Sequence, residues 1–264
     1  KSSMRSSIVA ARQGISASAR LVSMLGIARG FASGPSIAND LIEIREYTIS
    51  PGRWQEFLRL ASRVKPLRDE LLPTVATLRC DLSNSMDLNS FVHLYRWRSH
   101  DHRDETRSRQ DARWAAYLAE AKPMFMAQKS SIYKPAAAIM DSMGADPDPS
   151  MAAARRSRLP MVEFRRYRLK AGYTTVPKAL EAFQAALPAK MEAARAAGVE
   201  HELELLAYCD VGRLNELVEV WRFAKASDSV RAREASRGVA VWRDCIATLT
   251  ELTETFDSSF LYES

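Results

Sequence analysis

The 264-residue chain has no apolar run near the roughly 20 residues that a membrane-spanning helix needs. The best candidate, Leu21 to Phe31, is short and contains Arg29. Cysteine is scarce. Cys80, Cys209 and Cys245 are an odd, widely spaced set with no Cys-x-x-Cys pair and no histidine at ligand spacing. That pattern argues against a disulfide framework or a zinc site and for reduced thiols. No Gly-rich phosphate loop occurs either. Neither a cofactor nor a metal is therefore expected. Acid is absent from residues 1–39, which hold Lys1, Arg5, Arg12, Arg20 and Arg29. The other 225 residues carry 33 basic and 32 acidic side chains, so the formal charge of +6 belongs mostly to the N-terminal stretch. A body this close to neutral lacks the electrostatic footprint of a nucleic-acid binder. The arginines of 103–113 are interleaved with Asp104, Glu105 and Asp111 and read as a solvated, ion-paired face.

What the first residues do contain is Arg, Ser and Ala, with Ile8, Arg12, Ile15, Ala19 and Val22 at helical spacing. This is the composition of an amphipathic mitochondrial transit peptide, expected over residues 1–31. Arg29-Gly-Phe-Ala-Ser places a processing site after Phe31. The localisation this implies is the mitochondrial matrix or the matrix side of the inner membrane.

The remainder is an internal duplication. Leu41-Ile-Glu-Ile-Arg-Glu-Tyr with Pro51-Gly52 is echoed by Met161-Val-Glu-Phe-Arg-Arg-Tyr with Gly172. Cys80-Asp81 is echoed by Cys209-Asp210, Val92 to Arg98 by Val218 to Ala224, and Trp114 by Trp242. The order of the matches is preserved, as a true repeat requires. A first domain spans 40–140 and a second, diverged one 159–264. Between them, residues 141–158 hold Gly144, Pro147 and Pro149 and read as a linker.

Within a copy, Leu41 to Ile49 alternates at the strand period, and Trp54 to Leu72 has helical periodicity. Strands are expected over 75–82 and 91–98, with a turn at 83–89, one helix over 102–121 and a short last strand over 132–139. The fold class is thus α+β, two ferredoxin-like βαββαβ units in tandem. The second copy has a longer first helix, 173–196, stopped by Gly198, and its last segment, 248–262, reads as helix or strand. Side-chain alternation divides each sheet into two faces. We assign Ile42, Ile44, Val92 and Leu94 to the face beneath the helices. Glu43, Arg45, Tyr47, His93, Tyr95 and Trp97 then face a shared interior, with Glu163, Arg165, Tyr167, Glu219, Trp221 and Phe223 as the second copy's row.

These motifs resemble the NIPSNAP family. The residues that carry the resemblance are Glu43-x-Arg45-x-Tyr47 with Pro51-Gly52, His93 to Ser99, Arg113-Trp-Ala-Ala-Tyr117 and Lys122 to Gln128. The second copy departs from the pattern, with Glu219 at the histidine and no Lys-Pro segment after Trp242. The resemblance implies a dimeric α/β-barrel of ferredoxin-like units, commonly mitochondrial, acting as an interaction protein without established catalytic residues.

Two functions from different classes follow. One is a non-catalytic interaction or scaffold protein that self-associates or serves as an accessory subunit of a large inner-membrane complex, respiratory or ATP synthase. The other is a small cofactor-independent monooxygenase using the barrel lumen. Its candidate residues are His93, Tyr95, Arg45 and Tyr47, since a histidine beside Tyr and Arg can orient and deprotonate a phenolic substrate. Glu43, ion-paired, and the aromatics can equally be filling. His100, His102 and His201 are expected to be solvated, and Cys80 and Cys209 to be small core-edge residues.

Overall fold

A computed structural model describes residues 37–84 and 88–264; the expected leader, 1–31, lies outside the described residues. The first half runs β1 (Leu41–Ile49), α1 (Trp54–Leu71), β2 (Thr74–Asn84), β3 (Ser90–Trp97), α2 (His100–Ser108), α3 (Ala112–Ala121) and β4 (Phe125–Pro135). Two short helices follow, α4 (Ala137–Met143) and α5 (Ala152–Arg158). The second half is β5 (Met161–Leu169), α6 (Thr175–Ala196), β6 (His201–Val211), β7 (Glu216–Phe223), α7 (Ala226–Arg237), α8 (Ala240–Leu252) and β8 (Thr253–Glu263). The eight strands form one closed antiparallel barrel in the order β1-β3-β2-β8-β5-β7-β6-β4. Two seams join the halves, β2 to β8 through Cys80 opposite Leu261 and β4 to β6 through Lys134 opposite Tyr208. Closure within one chain removes the open edges that each half would otherwise present.

Local chemistry explains where the elements depart from the periodicity. The single helix expected over 102–121 is two helices, because the Asp111 carboxylate accepts from the amides of Arg113 and Trp114 and caps a new start. The last strand of the first half lies at 125–135, not 132–139; Pro135 ends it and a helix takes over. The segment expected as a bare linker is ordered as α4 and α5, with Met140 and Ala152 buried. Gly198, at φ 69°, ends α6 in the left-handed conformation that glycine adopts without strain. The C-terminal segment is strand from Thr253 onward.

The assignment of faces is reversed. Ile42, Ile44, Val92 and Leu94 point into the barrel, where they join Val162, Phe164, Val218 and Val220 in one core. Contacts across the barrel fix this. Arg166 donates to Glu46 at 2.8 Å, and the Tyr133 hydroxyl donates to Glu216 at 2.6 Å, each linking one half to the other. Tyr47 and Phe91, by contrast, pack against Phe57, Leu60 and Tyr117 of α1 and α3. Alternation separates two faces but does not say which one a helix covers. The more apolar face went to the lumen, which is walled by protein on all sides. The polar row went to the helices, whose arginines supply partners.

At one end of the lumen Arg222 is fully buried, ion-paired with Glu204 at 2.8 Å and donating to Glu263 at 2.6 Å. Removing one member of such a group strands its partners as uncompensated buried charges. Arg222→Met is therefore expected to lower unfolding stability by about 3–5 kcal/mol, measured by urea denaturation.

Candidate functional site

The motif residues of each β1-type strand lie between the sheet and its helices. In the first half Glu43 is fully buried. It accepts from Arg103 (3.1 Å) and Arg107 (2.6 Å) of α2, from Trp97 Nε1 (2.9 Å) and from Ser130 (2.8 Å). Burial alone would raise its pKa, but Arg103, Arg107 and Ser130 hold it at about 2. Arg45 lies 5.6 Å from the centre of the Tyr47 ring. His93 is 2% exposed and touches the rings of Tyr47, Phe91 and Tyr95. Its Nδ1 meets the Tyr95 hydroxyl at 3.0 Å. Burial, then Arg68 and Arg45, push the His93 pKa well below its ordinary value, while burial pushes the Tyr95 hydroxyl up. The four candidates His93, Tyr95, Arg45 and Tyr47 are thus brought together, but beneath the helices and not in the lumen, and His93 is walled in by rings. Of the other histidines, His201 is buried against Trp221 and Phe223 instead of solvated, and His100 pairs with Asp210 at the surface.

The same layer of the second half is built differently. Strand pairing puts Tyr47 opposite Gln128 and Tyr167 opposite Phe256, and Ile49 opposite Phe125 where Leu169 faces Thr253. Position for position, Phe125 becomes Thr253, and by the offset that relates Trp114 to Trp242, Tyr117 becomes Cys245. In the first half those two rings lie in the layer: Phe125 packs at a tilt on Tyr47 and edge-on to Phe57, and Tyr117 packs at a tilt on Trp114. In the second half the smaller Thr253 lines a cavity of about 320 Å³. Its inner wall is Glu163, Arg165, Tyr167 and Lys190, and Trp242, Leu249 and Phe256 supply apolar wall. Arg233 and Arg237, both at least partly exposed, stand at the rim.

Charges at the inner wall are compensated. Glu219, where the first copy has His93, accepts from Lys190 (2.9 Å), Tyr167 (2.7 Å) and Arg165 (3.3 Å). Glu163 accepts from Arg165 (2.9 Å), Ser229 (2.6 Å) and Ser258 (3.0 Å). The Lys190 ammonium sits 4.0 Å from the centre of the Trp221 ring and 4.4 Å from that of Trp242. Burial lowers the Lys190 pKa to about 8 despite Glu219. Burial would raise Glu219, yet Lys190 and Arg165 hold it at about 2. Among the described residues no three His, Cys, Asp or Glu side chains gather as a metal site.

Lys190 escaped the sequence reading, although a signal was present. Both long helices carry an internal proline followed two residues later by a buried cation, Pro66-x-Arg68 and Pro188-x-Lys190. Arg68 donates to Tyr117, and Lys190 occupies the matching place over Trp242. In Glu219→Gln the carboxylate that keeps Lys190 protonated is gone, so its pKa is expected to fall below about 8. An NMR titration of the Lys190 side chain measures this; an unchanged midpoint would contradict the assignment of Glu219 as its partner.

The closed barrel is shared with solved structures. An anthrone oxidase-like protein is 11% identical, with 87% of this chain and 93% of that one covered at a TM-score of 0.54. A proposed monooxygenase from Lactobacillus acidophilus is 10% identical, with 84% and 93% covered at 0.53. At these identities the likeness is one of fold. A NIPSNAP domain protein from Burkholderia xenovorans is 31% identical over 37% of this chain and 95% of its own, at a TM-score of 0.31. No curated protein matches. A model of the NIPSNAP family matches residues 42–139 and again residues 162–263, most of the chain and both halves of the barrel. The chain belongs to the NIPSNAP family, with the family's domain present twice.

Proposed function

We propose that this NIPSNAP chain is a non-catalytic binding protein of the mitochondrion, with a small-molecule site in the cavity of its second half. One observation carries the reading. The same layer of the same framework holds Phe125 against Tyr47 and Phe57 in one half and a cavity beside Thr253 in the other. In the open half the carboxylates and Lys190 are already held by opposite charges. That arrangement suits holding a ligand better than moving its protons. The monooxygenase reading needs a base beside an open pocket, and His93 is enclosed by Tyr47, Phe91 and Tyr95.

Each half reads as a ferredoxin-like unit whose second helix is split in two, supported by its β-α-β-β-α-α-β order and by strands ordered β4-β1-β3-β2 and β8-β5-β7-β6. The barrel is then the intrachain form of what single-domain relatives make by dimerising. The acid-free, Arg- and Ser-rich N-terminal stretch supports residence in the matrix or on the matrix side of the inner membrane. Among the described residues no helix is long and apolar enough to cross a membrane. Membership of an inner-membrane complex would therefore rest on docking of the folded barrel to protein partners.

Two measurements bear on this. A thermal-shift screen with compounds of one apolar body and neutral, cationic or anionic heads is expected to find at least one class that raises the midpoint. If no class does, the ligand-site reading fails. Blue-native electrophoresis of mitochondria is expected to place the chain in a large assembly; migration only as a small free species would end the accessory-subunit form.

A further inference from the structure

Resting on the reading of that cavity as a ligand site, we infer that its ligand is an amphipathic organic carboxylate, an apolar body with one anionic head.

Charge argues for the head. Arg165, Lys190, Arg233 and Arg237 line the cavity, against Glu163 in the wall and Glu219 bonded behind it. Four cations against two carboxylates leave two positive charges in excess. Arg165 and Lys190 are consumed by the two glutamates. The excess therefore sits at the rim. Arg233 is only 4.0 Å from Glu163 and 42% exposed, and no carboxylate pairs with Arg237 among the described residues. A guanidinium fork at a pocket mouth, with its low-dielectric walls, matches the two oxygens of a carboxylate.

The walls argue for the body. Trp242 and Leu249 are buried beneath it, and Ile246 and Phe256 remain 41% and 53% exposed on the way in. Large apolar side chains left open beside a cavity are surface that a ligand can cover. At about 320 Å³ the space lies at the small end of the range for ligand pockets, roughly 300–1,000 Å³.

The first half shows what fills the matching place. At the strand position of Thr253 it carries Phe125, packed on Tyr47 and Phe57. In place of Ser229, one of the donors to Glu163, it carries Arg103, bonded to Glu43. Without the ring the space is open. Without the arginine the buried glutamate has one cation fewer on it, and Arg233 approaches it only to 4.0 Å.

Decanoate, decanol and decylamine are the probes, titrated into the full chain with binding read by calorimetry. Decanoate is expected to bind at least about tenfold more tightly than either of the others. Restoring the first-half ring with Thr253→Phe is expected to abolish binding, with Ile246→Trp at the exposed mouth as a second blocking variant should Thr253→Phe fail to fold. Arg237→Gln is expected to weaken decanoate about fivefold and leave decanol unchanged. Tyr173→Ser, exposed and outside the cavity, is expected to bind as the parent does. Tighter binding of decanol or decylamine than of decanoate would overturn the carboxylate while leaving a ligand site in place. Undiminished decanoate binding in a folded blocking variant would overturn the location. Failure of all three probes would overturn the inference, and the charge-class screen above then decides the broader reading on its own.

Discussion

A carboxylate buried on the helix side of the first strand of each half governs how the rest of the layer is arranged. Glu43 and Glu163 are fully buried, and a charge in that position persists only if it is paired and hydrogen-bonded. The donors come both from the helix that covers the sheet and from neighbouring strands. In the first half α2 supplies two arginines and β3 the Trp97 indole. In the second, α7 supplies Ser229, and the strand's own Arg165 turns toward Glu163. The carboxylate thus ties a helix to the sheet at one place and sets the spacing of the layer between them. Whether that layer is solid or hollow depends on what surrounds the tie, not on the tie itself.

This explains why the two halves keep one framework and differ in content. The lumen is shared, so its Ile and Val side chains meet the other half's and cannot drift singly without leaving a void. The helix-side layers are private to each half. Exchanging His93 for Glu219 required a cation close by, and Lys190 meets that need from α6. Arg165 then bridges the two glutamates, a contact for which the first half has no counterpart at His93.

The repeat, the first strand and both long helices were legible in the sequence, because hydrophobic period and matched spacing are local properties. The candidate cluster was legible as a set: Tyr47, His93 and Tyr95 do meet. Its surroundings were not. Which face of a strand a helix covers is decided by how two sheets close on each other, and both faces here carry enough apolar surface to be buried. The cavity escaped for a related reason. It lies where a ring is absent, at Thr253, and a small residue leaves no mark in a periodicity pattern.

The seam between β2 and β8 pairs residues near 80 with the last few of the chain, and the Ser264 amide reaches the Thr77 carbonyl. Contacts that distant in sequence form late, since a long loop must close before they repay its entropy. Until the C-terminal strand arrives, β2 and β5 each present an unpaired edge, and the apolar lumen is open along its length. Without β8 the chain is thus a seven-stranded, slotted cylinder with two adhesive rims. Both rims are covered together when the eleven-residue β8 pairs with β2 and β5.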